Sequence, residues 1–389
     1  MRVVYVTNEL PPYRRPIWEL LRQHHPAWSI RILLCVPKEP GRPWDAATGS
    51  AQLDAQTVPN FTIRRRQARA DVKAEVTRLI HVPVGLLPAL ARFRPDVIVT
   101  GGFSFPSLMA LVYAKVFRRP WVLVSEETSH GAAGITGAQR KLRRLLIRNA
   151  TAFLAYGRAA QRYLVEAGAR PEAVQYCAQA VNTSWWSAAV DAARGDAARL
   201  RDELGVRGRV ALYAGQLVPR KGVSHLLAAW RRLPAEVQQS NTLLIVGDGE
   251  EAEGLRRRAG EWRLAGVVFV GLQPPEKLAA YYALADVFVL PTLLDVWGLV
   301  VNEAMAAGIP VLVSQFAGCA EELVVEGVTG NTFDPRDETR LSQLIAEWLR
   351  LGPRPPVAAV RQRAATLSFE SAARGTVAAI LGAHARKME

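Results

Sequence analysis

The sequence predicts an α/β protein built from two doubly wound domains, and three observations carry that prediction. At 389 residues the chain is too long for one ordinary core, since a domain takes roughly 150 residues. Short β-branched runs alternate with helix-like segments throughout, the pattern of parallel sheets covered by helices on both faces. That rhythm lapses after residue 180 and restarts near residue 210.

Taken in order, the strand candidates of the first half are Val3 to Thr7, Ile30 to Val36, Asp96 to Thr100, Trp121 to Ser125 and Ala152 to Tyr156. Those of the second half are Val210 to Ala214, Leu243 to Val246, Val267 to Val270, Val287 to Leu290 and Val311 to Ser314. Between the halves, Ser187 to Arg209 is rich in Ala, Arg and Asp and lacks strand character, so it reads as a helical or loop connector. The expected division is a first domain over 1–180, a connector over 181–208 and a second domain over 209–368. The closing segment 369–389 is helical, and its return to the first domain is an open alternative. Doubly wound sheets bind ligands beyond the C-terminal ends of their strands, so two such sheets are expected to face each other across a cleft.

Half of the residues are hydrophobic and 22% are charged, which leaves little room for extensive disorder. Cys35, Cys177 and Cys319 are too scattered for a disulfide framework or a zinc site, and a reducing compartment is expected. Met1 to Glu9 is unlike a secretory signal. The longest nearly apolar stretch, Leu79 to Ala91, is too short to span a bilayer and contains His81, Pro83, Gly85 and Pro88. The net charge of +14 is unevenly placed: residues 1–180 carry 26 Lys and Arg against 12 Asp and Glu, and the remainder carries 23 of each.

The strongest chemical signal follows the strand candidate Val287 to Leu290. There Asp295 precedes a predicted helix that opens near Gly298 and Leu299 and contains Glu303. Free backbone N–H groups and the positive dipole end at such a start suit a phosphate. Asp295 and Glu303 stand eight positions apart, so two carboxylates can bracket a sugar nucleotide. Other stretches place glycines after strands: Gly215 to Gly222 with Arg220 and Lys221, Gly247-Asp248-Gly249, and Phe269-Val270-Gly271.

These motifs, with Asn302 to Val311, resemble the retaining glycosyltransferases of family 4, the glycosyl transferases group 1, which have the GT-B fold of two facing Rossmann-like domains. The resemblance is specific over Gly215 to Glu322 and looser before Val181. It implies transfer of a sugar from a nucleoside diphosphate sugar, UDP- or GDP-linked, to an acceptor hydroxyl with retention at the anomeric carbon. It implies that Glu303 accepts hydrogen bonds from the ribose hydroxyls, as a carboxylate suits a vicinal diol. Arg220 and Lys221 are implied to neutralise the diphosphate as the glycosidic bond breaks, the alternative being a solvated pair in a turn. Gly215, Gly247, Gly271, Gly298 and Leu299 are implied to line the nucleotide and phosphate site. Asp295 stands where the family usually has Glu, one methylene shorter, and reads as a sugar contact or as a helix cap.

On the acceptor side the sequence is less definite. Thr7 to Pro16 contains Pro11-Pro12-Tyr13-Arg14, which resembles a version of the family's first loop; positioning an acceptor or phosphate and merely launching a helix are equal alternatives. Glu126, at the end of the strand candidate Trp121 to Ser125, and His130 nearby are catalytic or acceptor-contacting candidates. The histidines form no metal-ligand cluster and Asp-x-Asp is absent, so metal-independent transfer without a separate cofactor is expected.

Basic residues are dense in Arg64 to Arg69 and in Arg140 to Arg148, the latter reading as an amphipathic helix. An anionic membrane surface or acceptor and a merely solvated face are the alternatives, with nucleic acid last because no recognition motif accompanies the charge. The expected setting is cytoplasmic, with the inner face of the cell membrane as one option, and the acceptor is lipid-linked or part of a cell-envelope glycan. A soluble small-molecule acceptor is the second option; a sugar-nucleotide epimerase and an inactive binding module are weaker ones.

Overall fold

A computed structural model describes residues 1–36, 53–69, 74–350 and 356–386. By its internal contacts the chain divides into two units, one of residues 1–180 with 369–389 and one of residues 181–368.

The strands of the first unit are β1 (Arg2–Thr7), β2 (Ser29–Leu34), β3 (Ala55–Thr57), β4 (Phe61–Arg69), β5 (Ala74–Val82), β6 (Val97–Gly101), β7 (Trp121–Ser125), β8 (Ala152–Tyr156) and β9 (Val174–Cys177). Seven of them form one sheet in the order β3-β2-β1-β6-β7-β8-β9, every pair parallel. β4 and β5 make a separate antiparallel hairpin. With the hairpin set aside, the order reverses direction between β1 and β6, as in a doubly wound sheet.

Alternation along β1 explains both layers. Val3 and Tyr5 are buried against the helices Arg15–His24 and Phe369–Ala385, whereas Val4 and Val6 are buried beneath Leu86–Phe93, Phe105–Val116 and Gly137–Asn149. A strand covered on both faces reads as a continuous apolar run, which is why β1 is plain in the sequence. The C-terminal helix packs on β8, β9 and the helix Arg15–His24. A Cβ at its Gly375 would sit 2.9 Å from the carbonyl oxygen of Tyr176, so the small side chain sets the approach of helix to strand.

The second unit holds β10 (Val210–Ala214), β11 (Thr242–Val246), β12 (Val267–Gly271), β13 (Val287–Leu290), β14 (Val311–Ser314) and β15 (Gly330–Phe333). They form one parallel sheet in the order β12-β11-β10-β13-β14-β15, the strand order of a dinucleotide-binding fold with its reversal between β10 and β13.

Residues 181–208, expected as a connector, are packed elements of this second unit. The helices Thr183–Ala193 and Ala197–Leu204 lie against Pro275–Leu284, and the first also packs on Leu299–Ala306. Trp186 and Val190 are buried there, which makes that stretch part of a core. The expected amphipathic helix at Arg140 to Arg148 is present as Gly137–Asn149. The basic run Arg64 to Arg69 falls on β4; beyond Arg64 its side chains lie outside the described residues.

Candidate active site

In the second unit, the loops that follow β10, β11, β12 and β13 are tied together at the C-terminal edge of the sheet. Gly215 N–H donates to Val246 O at 3.0 Å, Leu217 N–H to Asp248 O at 2.9 Å, and Gly247 N–H to Gly271 O at 2.8 Å. Gly247 has φ +146°, and a Cβ there would collide with the carbonyl of Gly215. Only glycine lets two loop backbones approach so closely in this conformation. Gly271, at φ +85°, differs in facing open space.

The loops after β10 and β13 meet through one carbonyl. Arg220 O accepts from Thr292 Oγ1 at 2.9 Å, Leu293 N–H at 2.8 Å and Leu294 N–H at 3.2 Å. These loops flank the point where strand order reverses, the position at which such sheets bind ligands. Gly222, at φ +66°, packs its Cα face on Pro291 O with no room for a Cβ.

Lys221 Nζ donates to Asp295 Oδ2 at 2.5 Å, and the two side chains are only 13% and 11% exposed. A pair so far out of water depends on both partners, because either one alone is a desolvated charge. Asp295 Oδ1 also accepts from Trp297 N–H at 3.3 Å, and its main chain bridges to Phe316 and Gly318. Neither alternative read from the sequence, sugar contact or cap, included this partner. Arg220 is placed differently from its neighbour: its guanidinium donates to the neutral Gln216 Oε1 at 3.3 Å.

Gly298 adopts φ +99° immediately before the helix Leu299–Ala306. The preceding Trp297 is buried and its Nε1–H donates to Asn302 Oδ1 at 2.8 Å, which fixes the helix entry. Glu303, the fifth residue of that helix, stays partly accessible while its carboxyl is packed below the surface. The Tyr282 hydroxyl donates to Glu303 Oε2 at 3.0 Å, and burial pushes this carboxyl up to about 7, the hydrogen bond acting in the opposite direction. One oxygen is thus held from behind. Tyr282 in turn meets the ring of Trp186 edge-on, with centroids 5.3 Å apart.

The first unit carries its own polar cluster at the C-terminal strand ends. Glu126 pairs with Arg14 of the Pro-Pro-Tyr-Arg loop, and the Arg14 guanidinium lies 4.9 Å from the Tyr156 ring centre. Glu127 is a separate clamp: it accepts from Arg143 Nη2 at 2.5 Å, and Arg143 also donates to Tyr163 Oη at 2.8 Å. His130 is exposed on the short helix Ser129–Ala132. The structure therefore joins Glu126 to Arg14, and Glu303 to Tyr282, two relationships that the sequence did not signal. Among the described residues, no group of three or more His, Cys, Asp and Glu could hold a metal ion.

Two Rossmann-like units, the second with a glycine-laced basic and acidic site at its switch point, define a protein of the kind that accepts nucleotides at strand ends. Residues 198–365 match the model of glycosyl transferases group 1, so the second unit belongs to that family, and the chain has the GT-B fold of the solved glycosyltransferases on which it superposes. Among curated proteins, a GDP-mannose-dependent alpha-(1-6)-phosphatidylinositol monomannoside mannosyltransferase of Mycolicibacterium smegmatis is 38% identical over 39% of this chain and 42% of its own. An O-antigen chain mannosyltransferase B of Escherichia coli is 34% identical over 36% of each chain. The matched segments thus span about two-fifths of these relatives' length. Among solved structures, Anabaena HepE in complex with UDP and glucose superposes with TM-score 0.73 at 17% identity, covering 97% of this chain and 98% of that one. The apo form of the lipopolysaccharide outer core galactosyltransferase WaaB gives 0.70 at 13% identity, covering 98% and 99%.

Proposed function

We propose that the protein is a glycosyltransferase that moves a sugar from a nucleoside diphosphate sugar to an acceptor hydroxyl with retention at the anomeric carbon. The observation that carries this reading is the arrangement of Arg220, Lys221, Asp295 and Glu303 around the switch point of the second sheet. Membership of that unit in the glycosyl transferases group 1 supports it.

Glu303 takes the ribose diol with the carboxyl oxygen that Tyr282 leaves open. Arg220, whose partner is neutral, meets the diphosphate first, and Lys221 contributes as the leaving group gains charge. The backbone N–H groups at Gly298 and Leu299 serve the phosphate or sugar. In the transfer step, the bond from the anomeric carbon to the phosphate oxygen breaks and the bond to the acceptor oxygen forms on the same face. The departing phosphate oxygen takes the acceptor proton, so no protein nucleophile is needed. Positioning and charge neutralisation supply the rate. Glu126, with Arg14, is assigned to acceptor recognition.

The acceptor we favour is a lipid-linked or cell-envelope glycan, in keeping with the named acceptors of the mannosyltransferases matched above. A thermal-shift panel of UDP, GDP and their sugars tests the donor site, since a ligand at 100 times its dissociation constant adds about 2.7 kcal/mol. Stabilisation by one nucleotide series that is lost in Glu303→Ala is expected. A panel in which no nucleotide raises the melting temperature would overturn the donor assignment.

A further inference from the structure

The excess charge follows the two units: residues 1–180 with 369–389 hold 29 Lys and Arg against 14 Asp and Glu, and residues 181–368 hold 20 against 21. Within the first unit, about half of it sits on three helices of one side of the sheet, Leu86–Phe93, Phe105–Val116 and Gly137–Asn149, which hold seven Lys and Arg. The layer formed by Arg15–His24 and Phe369–Ala385 contains Glu19 and Glu370. In the opposite layer, the sequences of Leu86–Phe93, Phe105–Val116 and Gly137–Asn149 contain neither Asp nor Glu, and the fourth helix, Arg158–Glu166, has Glu166, which accepts from Ser129 Oγ. These three helices share one buried cluster against the sheet, so their outward sides form a common surface. The nearest acidic residues in sequence are paired with arginines: Asp96 with Arg2 and Arg119, Glu126 with Arg14 and Glu127 with Arg143.

That surface is also apolar at defined places. Phe105, Val112 and Val116 fall at helical spacing on one exposed stripe, which ends at Phe117; Val112, Val116 and Phe117 are 50%, 68% and 52% exposed. The neighbouring helix Gly137–Asn149 exposes Leu145 among Lys141, Arg144 and Arg148. On the adjoining hairpin, Phe61 and Ile63 are exposed as well. A surface that only repels its own kind through charge has no use for such a stripe, and the phosphodiester backbones of nucleic acid gain little from Val and Phe. A bilayer with anionic headgroups satisfies both parts, taking apolar side chains into the headgroup boundary and basic ones at the phosphates.

We propose that this helical layer of the first unit seats on an anionic lipid bilayer, through the Phe105 to Phe117 stripe and the basic flank of Lys141, Arg144 and Arg148. The inference extends the function proposed above by placing the enzyme at a lipid surface. It rests on charge and exposure, and its test needs no nucleotide, so either can fail without the other.

The test is flotation of the full chain with vesicles of phosphatidylcholine alone or with phosphatidylglycerol. Binding is expected only with phosphatidylglycerol and is expected to fall as salt rises, because screening shortens the reach of the headgroup charge. The paired substitutions Val116→Glu with Phe117→Glu, and Lys141→Glu with Arg144→Glu, are each expected to weaken binding at least about tenfold. Urea unfolding midpoints verify that these variants are folded, and the milder Val116→Ser and Arg144→Gln serve if they are not. Absence of flotation with anionic vesicles overturns the proposal, as does equal binding to both vesicle types. Binding that persists through the apolar and basic substitutions, or transfer of the binding to duplex DNA or RNA, overturns it too.

Discussion

The Tyr282 hydroxyl stands behind the Glu303 carboxyl, donating to Oε2 at 3.0 Å from a helix that lies 21 residues earlier in the chain. The contact holds down a carboxyl that burial drives up to about 7, and it makes Glu303 sensitive to pH in the range where enzymes work. In the Tyr282→Phe variant the carboxyl loses this support and its ionisation moves to higher pH. Calorimetric titration with a nucleoside diphosphate between pH 6 and 9 is expected to show the affinity midpoint displaced upward. An unchanged profile would mean that Tyr282 serves only as packing for Trp186.

The same carboxyl makes a prediction for stability without ligand. Its value rises from 4.5 to about 7 on folding, so between those pH values the folded chain keeps a proton that the unfolded chain has released. Stability from this group therefore falls as pH rises across that window. Glu303→Gln is expected to flatten the slope and to be more stable than the parent at pH 8, measured by urea unfolding at pH 5 and pH 8. A variant with the parent's slope would sink the assignment.

Lys221 and Asp295 are expected to be strongly coupled. Removing either leaves the other charge desolvated, so Lys221→Ala and Asp295→Ala should each cost about 3 kcal/mol or more, and the double variant much less than their sum. Turnover should nevertheless collapse in the double variant as in the singles. Additive losses in a double-mutant cycle would show that the pair is solvated in solution.

Two glycines separate close approach from mere conformation. Gly247→Ala places a methyl group into the Gly215 carbonyl, whereas at Gly271 there is open space and only the positive φ opposes a side chain. The first substitution is expected to abolish nucleotide binding and lower the melting temperature sharply. The second should cost about 1–2 kcal/mol and preserve binding. Equal effects would argue that the loops do not keep this spacing.

Much of this was legible because the central strands are buried on both faces. Val210–Ala214, Val287–Leu290 and Val311–Ser314 stand out as apolar runs between polar loops and were read at their observed bounds. The edge strands β3, β9 and β15 were not, since Ala55–Thr57, Val174–Cys177 and Gly330–Phe333 mix polar with apolar residues and form no apolar run. The packing of residues 181–208 was hidden by their Ala and Arg content, although Trp186 and Val190 anchor them. At the site, the motif made Asp295 and Glu303 visible. Their partners Lys221 and Tyr282 lie 74 and 21 residues away, and only folding brings such distant positions together.

The place of the C-terminal helix has a consequence for biosynthesis. Residues 1–180 leave the ribosome with the layer beside β9 still uncovered, because Phe369–Ala385 is made only after the whole second unit. At ~5–20 residues per second, translating residues 181–368 takes roughly 10–40 s. For that interval the earlier-made unit must wait with an apolar face open to chaperones, while the later-made unit can complete itself first. The order of synthesis and the order of completion are reversed, and the first unit closes only once Phe369–Ala385 has emerged.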